Sequence, residues 1–257
     1  METEFIRCDV QEYVALVTMD RPPVNAINTQ FQNELTLVFD TLSDRDDVRV
    51  AILTGAGRVF NAGVDIKERM SGEPQPGEIW QRSRGARECF HAIVECRVPV
   101  IGALNGAALG AGLAIAASCD ILIASENAAL GLPEIDVGLL GGGRHTMRLF
   151  GHSKSRRMMF TGQRVSGAEL YRLGIVEDCV PADRLSDAAR ALAKEIAAKS
   201  PVAVRLAKHA MNAIEFMSLR DGYRFEQSMT AELLKSEDSK EAIRAFLEKR
   251  PPLFRGV

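Results

Sequence analysis

The segment that most constrains the fold lies in the middle of the chain, where no charged residue occurs from Val98 to Cys119. It opens with the β-branched run VPVIGAL, continues through Gly106, Gly110 and Gly112, and ends in the alanine-rich run LAIAAS. This order predicts a buried strand, a turn and a helix that is apolar all round. Because glycine weakens helices, three glycines at a helix start indicate either tight packing or close approach of a ligand to the backbone.

Strands and helices alternate on both sides of this segment. Apolar, β-branched runs predict strands within 13–20, 48–57, 98–106, 119–134 and 174–181. Apolar residues recur at helical spacing in 29–44, and further helices are predicted over 78–96 and 110–119. The alternation predicts an α/β fold with mostly parallel strands.

The character of the sequence changes near residue 195. Residues 186–249 are nearly all helix formers, with lysines, glutamates and apolar residues at i, i+3 and i+4 and one predicted break at Ser200–Pro201. The chain therefore divides into a predicted α/β core, 1–195, and a C-terminal helical region, 196–257.

Composition narrows the classes of partner. The 32 basic and 34 acidic side chains give a net charge of −2, which predicts no general attraction to nucleic acid or to an anionic membrane. The five cysteines are scattered without a CxxC pair, which is typical of reduced thiols in a cytoplasmic protein. The first ten residues contain two glutamates and no apolar stretch, so no signal peptide is predicted.

Two kinds of cofactor are not expected from the sequence. The stretch GALNGAALG lacks the complete GxGxxG fingerprint of a dinucleotide site on a first strand–helix turn. No cluster of His, Cys and Asp residues indicates a metal site.

Several stretches together resemble the enoyl-CoA hydratase/isomerase (crotonase) superfamily. They are RPPVNAIN (21–28), GRVFNAGVDIKE (57–68), NGAALGAGLAIAASCDILIAS (105–125), GLPEIDVGLL (131–140) and TGQRVSGAELYRLGIVEDCVP (161–181). The resemblance covers nearly the whole chain. It implies a spiral of ββα units with a C-terminal helical trimerisation region, a homotrimer or hexamer, and an acyl-CoA thioester substrate whose coenzyme A is the only cofactor.

The resemblance also implies two backbone N–H groups that bind the thioester oxygen. One belongs to Val64 in NAGVD, and the other to Ala111 in LGAGL at the start of the glycine-rich helix. Chemistry next to a thioester carbonyl passes through an enolate, and preorganised donors stabilise the negative charge on its oxygen. A helix N-terminus adds unpaired N–H groups and the positive end of a dipole.

Glu134 in GLPEIDVG matches the catalytic glutamate of the superfamily. Its apolar neighbours Leu132, Pro133 and Ile135 should raise its pKa toward the range of an acid–base group. Hydratases of this type generally carry another glutamate three residues beyond the helix donor, but that position here is Ala114.

The missing glutamate leaves three interpretations open. The first is an enzyme of the enoyl-CoA hydratase/isomerase type that moves a proton with Glu134 alone. The second is an isomerase, or another acyl-CoA lyase or hydrolase, rather than a true hydratase. The third belongs to another class, a non-catalytic protein that binds coenzyme A or supports assembly.

A second departure from the superfamily lies close to Glu134. Where relatives often have P-G-A-G-G-T, this chain has Gly141–Thr146, with Arg144 and His145 in place of two small residues. His145 is a candidate for holding water or a polar group of the substrate, since histidine titrates near neutral pH. The alternative is that both side chains point outward or pair with a carboxylate such as Asp136.

The resemblance assigns further residues to coenzyme A and to the acyl group. Those expected around the nucleotide are Ala26, Ala62, Asp65, Ile66, the phosphate candidate Lys67, and the tail pair Phe254 and Arg255, which would reach a neighbouring subunit's nucleotide. Those expected around the acyl group are Met70, Ile79, Trp80 and the helix over 80–95.

Overall fold

The computed structural model describes residues 3–69 and 73–257 and has the predicted α/β architecture. Its strands are β1 (Ile6–Gln11), β2 (Val14–Met19), β3 (Val50–Gly55), β4 (Val59–Asn61), β5 (Val100–Leu104), β6 (Ala107–Leu109), β7 (Ile121–Ser125), β8 (Ala129–Gly131), β9 (Arg164–Ser166) and β10 (Asp178–Val180). Its helices are α1 (Thr29–Asp44), α2 (Ile66–Arg69), α3 (Glu78–Glu95), α4 (Ala111–Ser118), α5 (Gly143–Leu149), α6 (His152–Thr161), α7 (Gly167–Arg172), α8 (Leu185–Ala197), α9 (Pro201–Ile214), α10 (Leu219–Leu233) and α11 (Glu237–Leu247).

The larger sheet has the strand order β1-β2-β3-β5-β7-β10. Every neighbouring pair in it is parallel except β1 and β2. Alternate residues of β3 enter two separate cores: Leu53 lies in the core that includes Phe31 of α1, and Ile52 in the core that includes Ala189 of α8. Since helices cover both faces of the central strands β2, β3, β5 and β7, these strands are mostly apolar, which explains why the sequence revealed them. The edge strand β1 instead carries Arg7, Asp9 and Gln11.

The smaller sheet has the order β4-β6-β8-β9, with β4, β6 and β8 parallel and β9 antiparallel to β8. Each of these three parallel strands follows a strand of the larger sheet after a short turn: β4 after β3, β6 after β5, and β8 after β7. The paired strands, each with a helical segment after it, form the repeating unit that the resemblance implies.

The C-terminal helices attach to the core through an ion pair whose lysine is buried. Lys208 of α9 donates to the carboxylate of Asp120 at 2.7 Å and to the backbone carbonyls of Ile93 and Val98. Removing the carboxylate of Asp120 would leave the buried charge of Lys208 uncompensated, which costs about 3–5 kcal/mol.

The prediction of a single break in the C-terminal helices is wrong. The predicted break at Ser200–Pro201 is present, and Ser200 caps α9 there, but the chain also breaks between α9 and α10 and between α10 and α11. Ser218 and Ser236 cap these two further helices by accepting backbone N–H groups. The predicted boundary at residue 195 falls inside α8, which packs on the sheet, and the division into two parts stays a prediction.

Candidate active site

Three adjacent parallel strands end at the same edge of the smaller sheet. Val64 lies three residues beyond the end of β4, Ala111 two beyond the end of β6, and Glu134 three beyond the end of β8. Carboxyl ends of parallel strands share one edge of a sheet, where α/β proteins commonly bind ligands. The fold therefore gathers the three predicted residues from parts of the chain far apart in sequence.

The backbone N–H of Val64 is turned away from its neighbouring segment. Ile27 pairs with Val64 in a parallel bridge: its N–H donates to the carbonyl of Gly63 at 2.8 Å, and its carbonyl accepts from Asp65 at 2.9 Å. In such a bridge the N–H of the middle residue points to the opposite side. Within the described chain the N–H of Val64 has no acceptor.

Ala111 is the first residue of α4, and its N–H likewise has no acceptor among the described residues. Gly110 before it has φ 57° and ψ −117°, and its N–H donates to the carbonyl of Gly131 at 2.9 Å. A Cβ placed on Gly63 would lie 3.5 Å from the nitrogen of Ala111. The two turns that carry the candidate donors are thus in contact.

The carboxyl group of Glu134 lies against the same turn. A Cβ placed on Gly110 would be 2.1 Å from Oε1 of Glu134, so only glycine allows this approach. Oε2 of Glu134 is buried and has no hydrogen-bond partner in the described chain. Burial raises the pKa of Glu134 above its ordinary value of 4.5, as its apolar neighbours predicted.

The three central glycines serve different contacts. A Cβ on Gly106 would lie 1.9 Å from the carbonyl oxygen of Arg58, and one on Gly112 would lie 2.2 Å from that of Asn61. These two glycines allow backbone segments to pack closely, whereas Gly110 makes room for Glu134. The expectation of tight packing is therefore confirmed at Gly106 and Gly112, whereas close approach of a ligand to the backbone stays a prediction.

Comparison with known proteins decides the family. Residues 9–257 match the family model described as enoyl-CoA hydratase/isomerase. The chain belongs to this family. The prediction of an enzyme with a crotonase fold is thereby confirmed.

Individual relatives cover nearly the whole enzyme. It is 38% identical to a (7aS)-7a-methyl-1,5-dioxo-2,3,5,6,7,7a-hexahydro-1H-indene-carboxyl-CoA hydrolase of Rhodococcus jostii, over 93% of this chain and 92% of that protein. It is 36% identical to a probable enoyl-CoA hydratase of Mycobacterium bovis, over 99% of each chain. The crystal structure of an enoyl-CoA hydratase from Bacillus anthracis superposes with a TM-score of 0.93 at 32% identity, over 99% of this chain and 100% of the other.

A cavity of about 410 Å³ opens beside Val64 in this enzyme. Its wall is formed by the start of α1, the segment after β4 and the first half of α3, and includes Ile27, Asn28, Gln32, Val64, Asp65, Ile79, Arg82, Ser83 and Ala86. Neither Ala111 nor Glu134 forms part of this wall. The cavity therefore reaches one of the two candidate donors, and neither the other donor nor the carboxyl group lines it.

Of the residues predicted for the acyl group, Ile79 and helix α3 contribute to the cavity wall. Trp80 is 70% exposed and lies outside that wall. Met70 lies outside the described residues.

The residues predicted around adenine are brought together by the bridge between Ile27 and Val64. Ala62 donates its N–H to the carbonyl of Val24 at 3.1 Å, which places Ala62 beside Ala26. Ile66 and Lys67 follow on the exposed helix α2. The sequence thus located one contiguous surface, whose binding of coenzyme A stays a prediction.

Asp65 is held in place by its own contacts. Its carboxylate accepts the backbone N–H groups of Glu68 and Lys67 and pairs with Arg21 at 2.9 Å. These interactions lower the pKa of Asp65, and the hydrogen bond from the backbone N–H of Glu68 contributes most. Arg21 also donates to the carbonyl of Ala26 at 2.9 Å, so it links Ala26 to Asp65 within this surface.

The tail residues Phe254 and Arg255 are not brought to this surface within one chain. The carbonyl of Phe254 accepts from Arg49, which immediately precedes β3, and the N–H of Arg255 donates to Asp238 of α11 at 2.8 Å. The candidate donors follow the opposite, carboxyl ends of the strands. Contact of the tail with a neighbouring copy stays a prediction.

His145 and Arg144 lie in the first turn of α5 and point to different neighbours. The ring of His145 meets Phe90 edge-on with centroids 5.0 Å apart, and burial lowers the pKa of His145. The guanidinium of Arg144 lies 4.8 Å over the ring of Phe216 rather than against Asp136. No hydrogen bond of the His145 side chain occurs in the described chain, and its catalytic role stays a prediction.

Two buried asparagines next to the turn that carries Val64 were not identified from the sequence. Asn25 donates to the carbonyls of Ala56 and Val59 at 3.0 and 2.8 Å, and Asn61 donates to the carbonyl of Asn25 at 2.6 Å. The only signal was an asparagine before alanine in both VNA and FNA. Among the described residues no group of three or more His, Cys, Asp or Glu could hold a metal ion.

Proposed function

We propose that this enzyme binds an acyl-CoA thioester and moves a proton through an enolate intermediate. In this mechanism the N–H groups of Val64 and Ala111 bind the thioester oxygen, and Glu134 is the only carboxylate that carries the proton. The observation that supports it is the combination of two unpaired N–H groups on touching turns with a poorly solvated carboxyl group beside them.

The reaction needs little beyond these groups. The ionised Glu134 removes a proton from the carbon next to the thioester carbonyl, and the electron pair moves onto the carbonyl oxygen, where the two N–H groups stabilise it. Losing one such donor typically costs about 3–4 kcal/mol of transition-state stabilisation. Returning the proton to a different carbon completes a double-bond isomerisation.

The position of Ala114 favours this reaction over hydration. A hydratase of the two-glutamate type orients its water between two carboxylates, and an alanine side chain can neither accept nor donate a proton. Isomerisation needs only one acid–base group, which alternately takes and returns the same proton.

A second candidate is hydrolysis of a bond next to the thioester or within its acyl group. It is supported by the name of the Rhodococcus jostii relative, and by a Mycobacterium tuberculosis relative, 39% identical, with the same name. In that reaction Glu134 would activate a water molecule, while the two N–H groups would stabilise the oxyanion that forms.

An activity panel tests both candidates. Hydration of crotonyl-CoA, isomerisation of a 3-enoyl-CoA and hydrolysis of oxo-acyl-CoA thioesters are measured with the purified enzyme. We expect isomerisation or hydrolysis to exceed hydration, and Glu134→Gln to lower kcat about a thousandfold or more. The matched control is Asp136→Asn, an exposed carboxyl group on the same turn, which should stay within about threefold of the wild type.

Absence of turnover throughout the panel, despite measurable binding of coenzyme A, would overturn the enzymatic proposal and favour the non-catalytic alternative. Fast hydration that is lost in Glu134→Gln would instead return the assignment to a hydratase.

We also propose that the enzyme assembles as a homotrimer or a hexamer. Large apolar side chains of the C-terminal helical region are exposed in the single chain, among them Phe216 at 71%, Leu219 at 92% and Phe246 at 82%. Exposed apolar surface of this kind favours association. Light scattering after size exclusion should give three or six times the 28.1 kDa mass of one chain.

The part of the chain that the structure describes contains no helix long and apolar enough to span a bilayer. A cytoplasmic location stays a prediction.

A further inference from the structure

Asn61 lies between the two turns that carry the candidate donors. It is the last residue of β4 and is fully buried. Its Oδ1 accepts the N–H of Gly63 at 2.8 Å, and its Nδ2 donates to the carbonyl of Asn25 at 2.6 Å. Both halves of the amide are therefore used, and the first of them fixes the peptide between Ala62 and Gly63, one peptide before the one that carries the N–H of Val64.

The other donor turn rests on the same residue. A Cβ placed on Gly112 would lie 2.2 Å from the backbone oxygen of Asn61 and 2.9 Å from its Oδ1. Gly112 follows Ala111 directly, so the first turn of α4 packs on Asn61 without any intervening side chain. One residue thus contacts the neighbours of both donors.

The carbonyl that Asn61 binds is itself held firmly. Asn25 has φ 56°, a conformation that few residues other than glycine and asparagine adopt, and its side chain donates to the carbonyls of Ala56 and Val59. The two asparagines form a buried network in which each amide has partners, and a network of this kind is rigid. Asn61 is therefore anchored independently of any ligand.

We propose that Asn61 is a positioning residue that sets the distance and direction of both N–H groups toward the thioester oxygen. This inference rests on the proposed function, since it assumes that Val64 and Ala111 bind that oxygen. Without the amide, the N–H of Gly63 and the carbonyl of Asn25 lose their partners and both turns can relax. A misplacement of about 1 Å at a reacting centre can lower the rate about a hundredfold.

Two substitutions and one control test the proposal. Asn61→Leu keeps the approximate shape of the side chain but removes both hydrogen bonds. Asn61→Ser keeps a short acceptor that can still bind the N–H two residues on. The control is Asn105→Ser. Asn105 accepts the N–H of Gly55 and donates to the carbonyl of Gly57, each at 3.1 Å. These contacts lie before the starts of β4 and β6, whereas the candidate donors follow the carboxyl ends of the same strands.

The decisive readout is the carbonyl stretching frequency of bound acetyl-CoA, labelled with ¹³C at the thioester carbon and recorded by infrared difference spectroscopy. In the wild type the two N–H groups should lower this frequency relative to acetyl-CoA in water. We expect Asn61→Leu to lose most of the lowering, Asn61→Ser to keep part of it, and Asn105→Ser to keep all of it. In parallel, kcat on the most active panel substrate should fall about a hundredfold in Asn61→Leu and about tenfold in Asn61→Ser, with KM changed less than about threefold.

The outcomes distinguish failure of the proposed function from failure of the positioning role of Asn61. An unlowered frequency in the wild type itself would overturn the proposed function. A lowered wild-type frequency that Asn61→Ser and Asn61→Leu both retain would overturn the positioning role alone, as would equal losses in Asn61→Ser and Asn105→Ser. Should Asn61→Leu fail to fold, the comparison of the two serine variants still decides.

Discussion

The reaction centre and the neighbouring cavity are built from different parts of the polypeptide. At the centre the groups proposed to act on the substrate are mostly backbone atoms, the N–H groups of Val64 and Ala111, with a single side chain, Glu134. The cavity beside Val64 is walled mainly by side chains on the surfaces of α1 and α3, such as Gln32, Ser83 and Ala86. Backbone atoms persist through most substitutions, whereas a wall of side chains can change without altering the fold. The comparison teaches that the centre should determine the chemistry and the cavity the substrate.

The largest effect on the reaction centre is expected from Gly110→Ala. Its φ of 57° disfavours any side chain, and the new Cβ would lie 2.1 Å from Oε1 of Glu134. We expect kcat to fall about a hundredfold or more and the free energy of unfolding to fall by about 1–2 kcal/mol. Steady-state kinetics and denaturant unfolding measure the two effects.

The matched control is Gly174→Ala. Gly174 also has a positive φ, 69°, but no described atom lies within 4 Å of a Cβ added there. It should lose a similar free energy of unfolding with kcat nearly unchanged. An equal loss of kcat in both variants would mean that Gly110 matters only for backbone strain.

The pH dependence of the centre should show the raised pKa of Glu134. The proposed base must be ionised, so kcat/KM should fall tenfold per pH unit below an apparent pKa that lies above 4.5. This limb should be absent from the residual activity of Glu134→Gln. A limb that begins only at or below 4.5 would contradict a poorly solvated carboxylate.

The raised pKa of Glu134 also predicts how the free energy of unfolding depends on pH. Between 4.5 and the raised pKa, the folded state binds more protons at Glu134 than the unfolded state does, so its contribution to the free energy of unfolding falls as pH rises. At neutral pH, Glu134→Gln should therefore unfold at a slightly higher temperature than the wild type. The difference in unfolding temperature should shrink as the pH is lowered toward 4.

A substitution in the cavity should alter the substrate and spare the chemistry. Ala86→Phe places a large side chain into the wall of α3, and we expect KM for longer acyl-CoA substrates to rise about tenfold while kcat for the shortest one is kept. Gln81→Phe, on the exposed side of α3, is the control. Equal effects on short and long substrates would show that the cavity does not hold the acyl group.

The smallest effect is expected at His145. Replacement by phenylalanine preserves a ring against Phe90, and burial already favours the neutral imidazole by lowering its pKa. We expect His145→Phe and His145→Ala to change kcat by less than about threefold. A loss of tenfold or more in both would instead assign His145 a part in holding water or substrate.

The predictions from sequence succeeded where hydrophobic patterns are long. Helix α1 was predicted over 29–44 and spans those residues, and all five predicted strands contain one in the structure. The four strands of the smaller sheet were not identified, since each has only three residues and so no readable alternation. Strand β1 was also missed. The smaller sheet nevertheless brings Val64, Ala111 and Glu134 to one edge.

The family, the α/β order of the elements and the three residues proposed to act were all predicted from the sequence. Motifs such as NAGVD, LGAGL and GLPEIDVG are short and continuous in the chain, so their resemblance to the superfamily can be recognised without the fold. Only the tertiary structure decided which groups lie beside one another: Oε1 of Glu134 against Gly110, Asn61 between both donor turns, and the tail away from the centre in a single chain. Contacts between distant segments depend on how sheets and helices pack, and a single sequence carries no direct record of that packing.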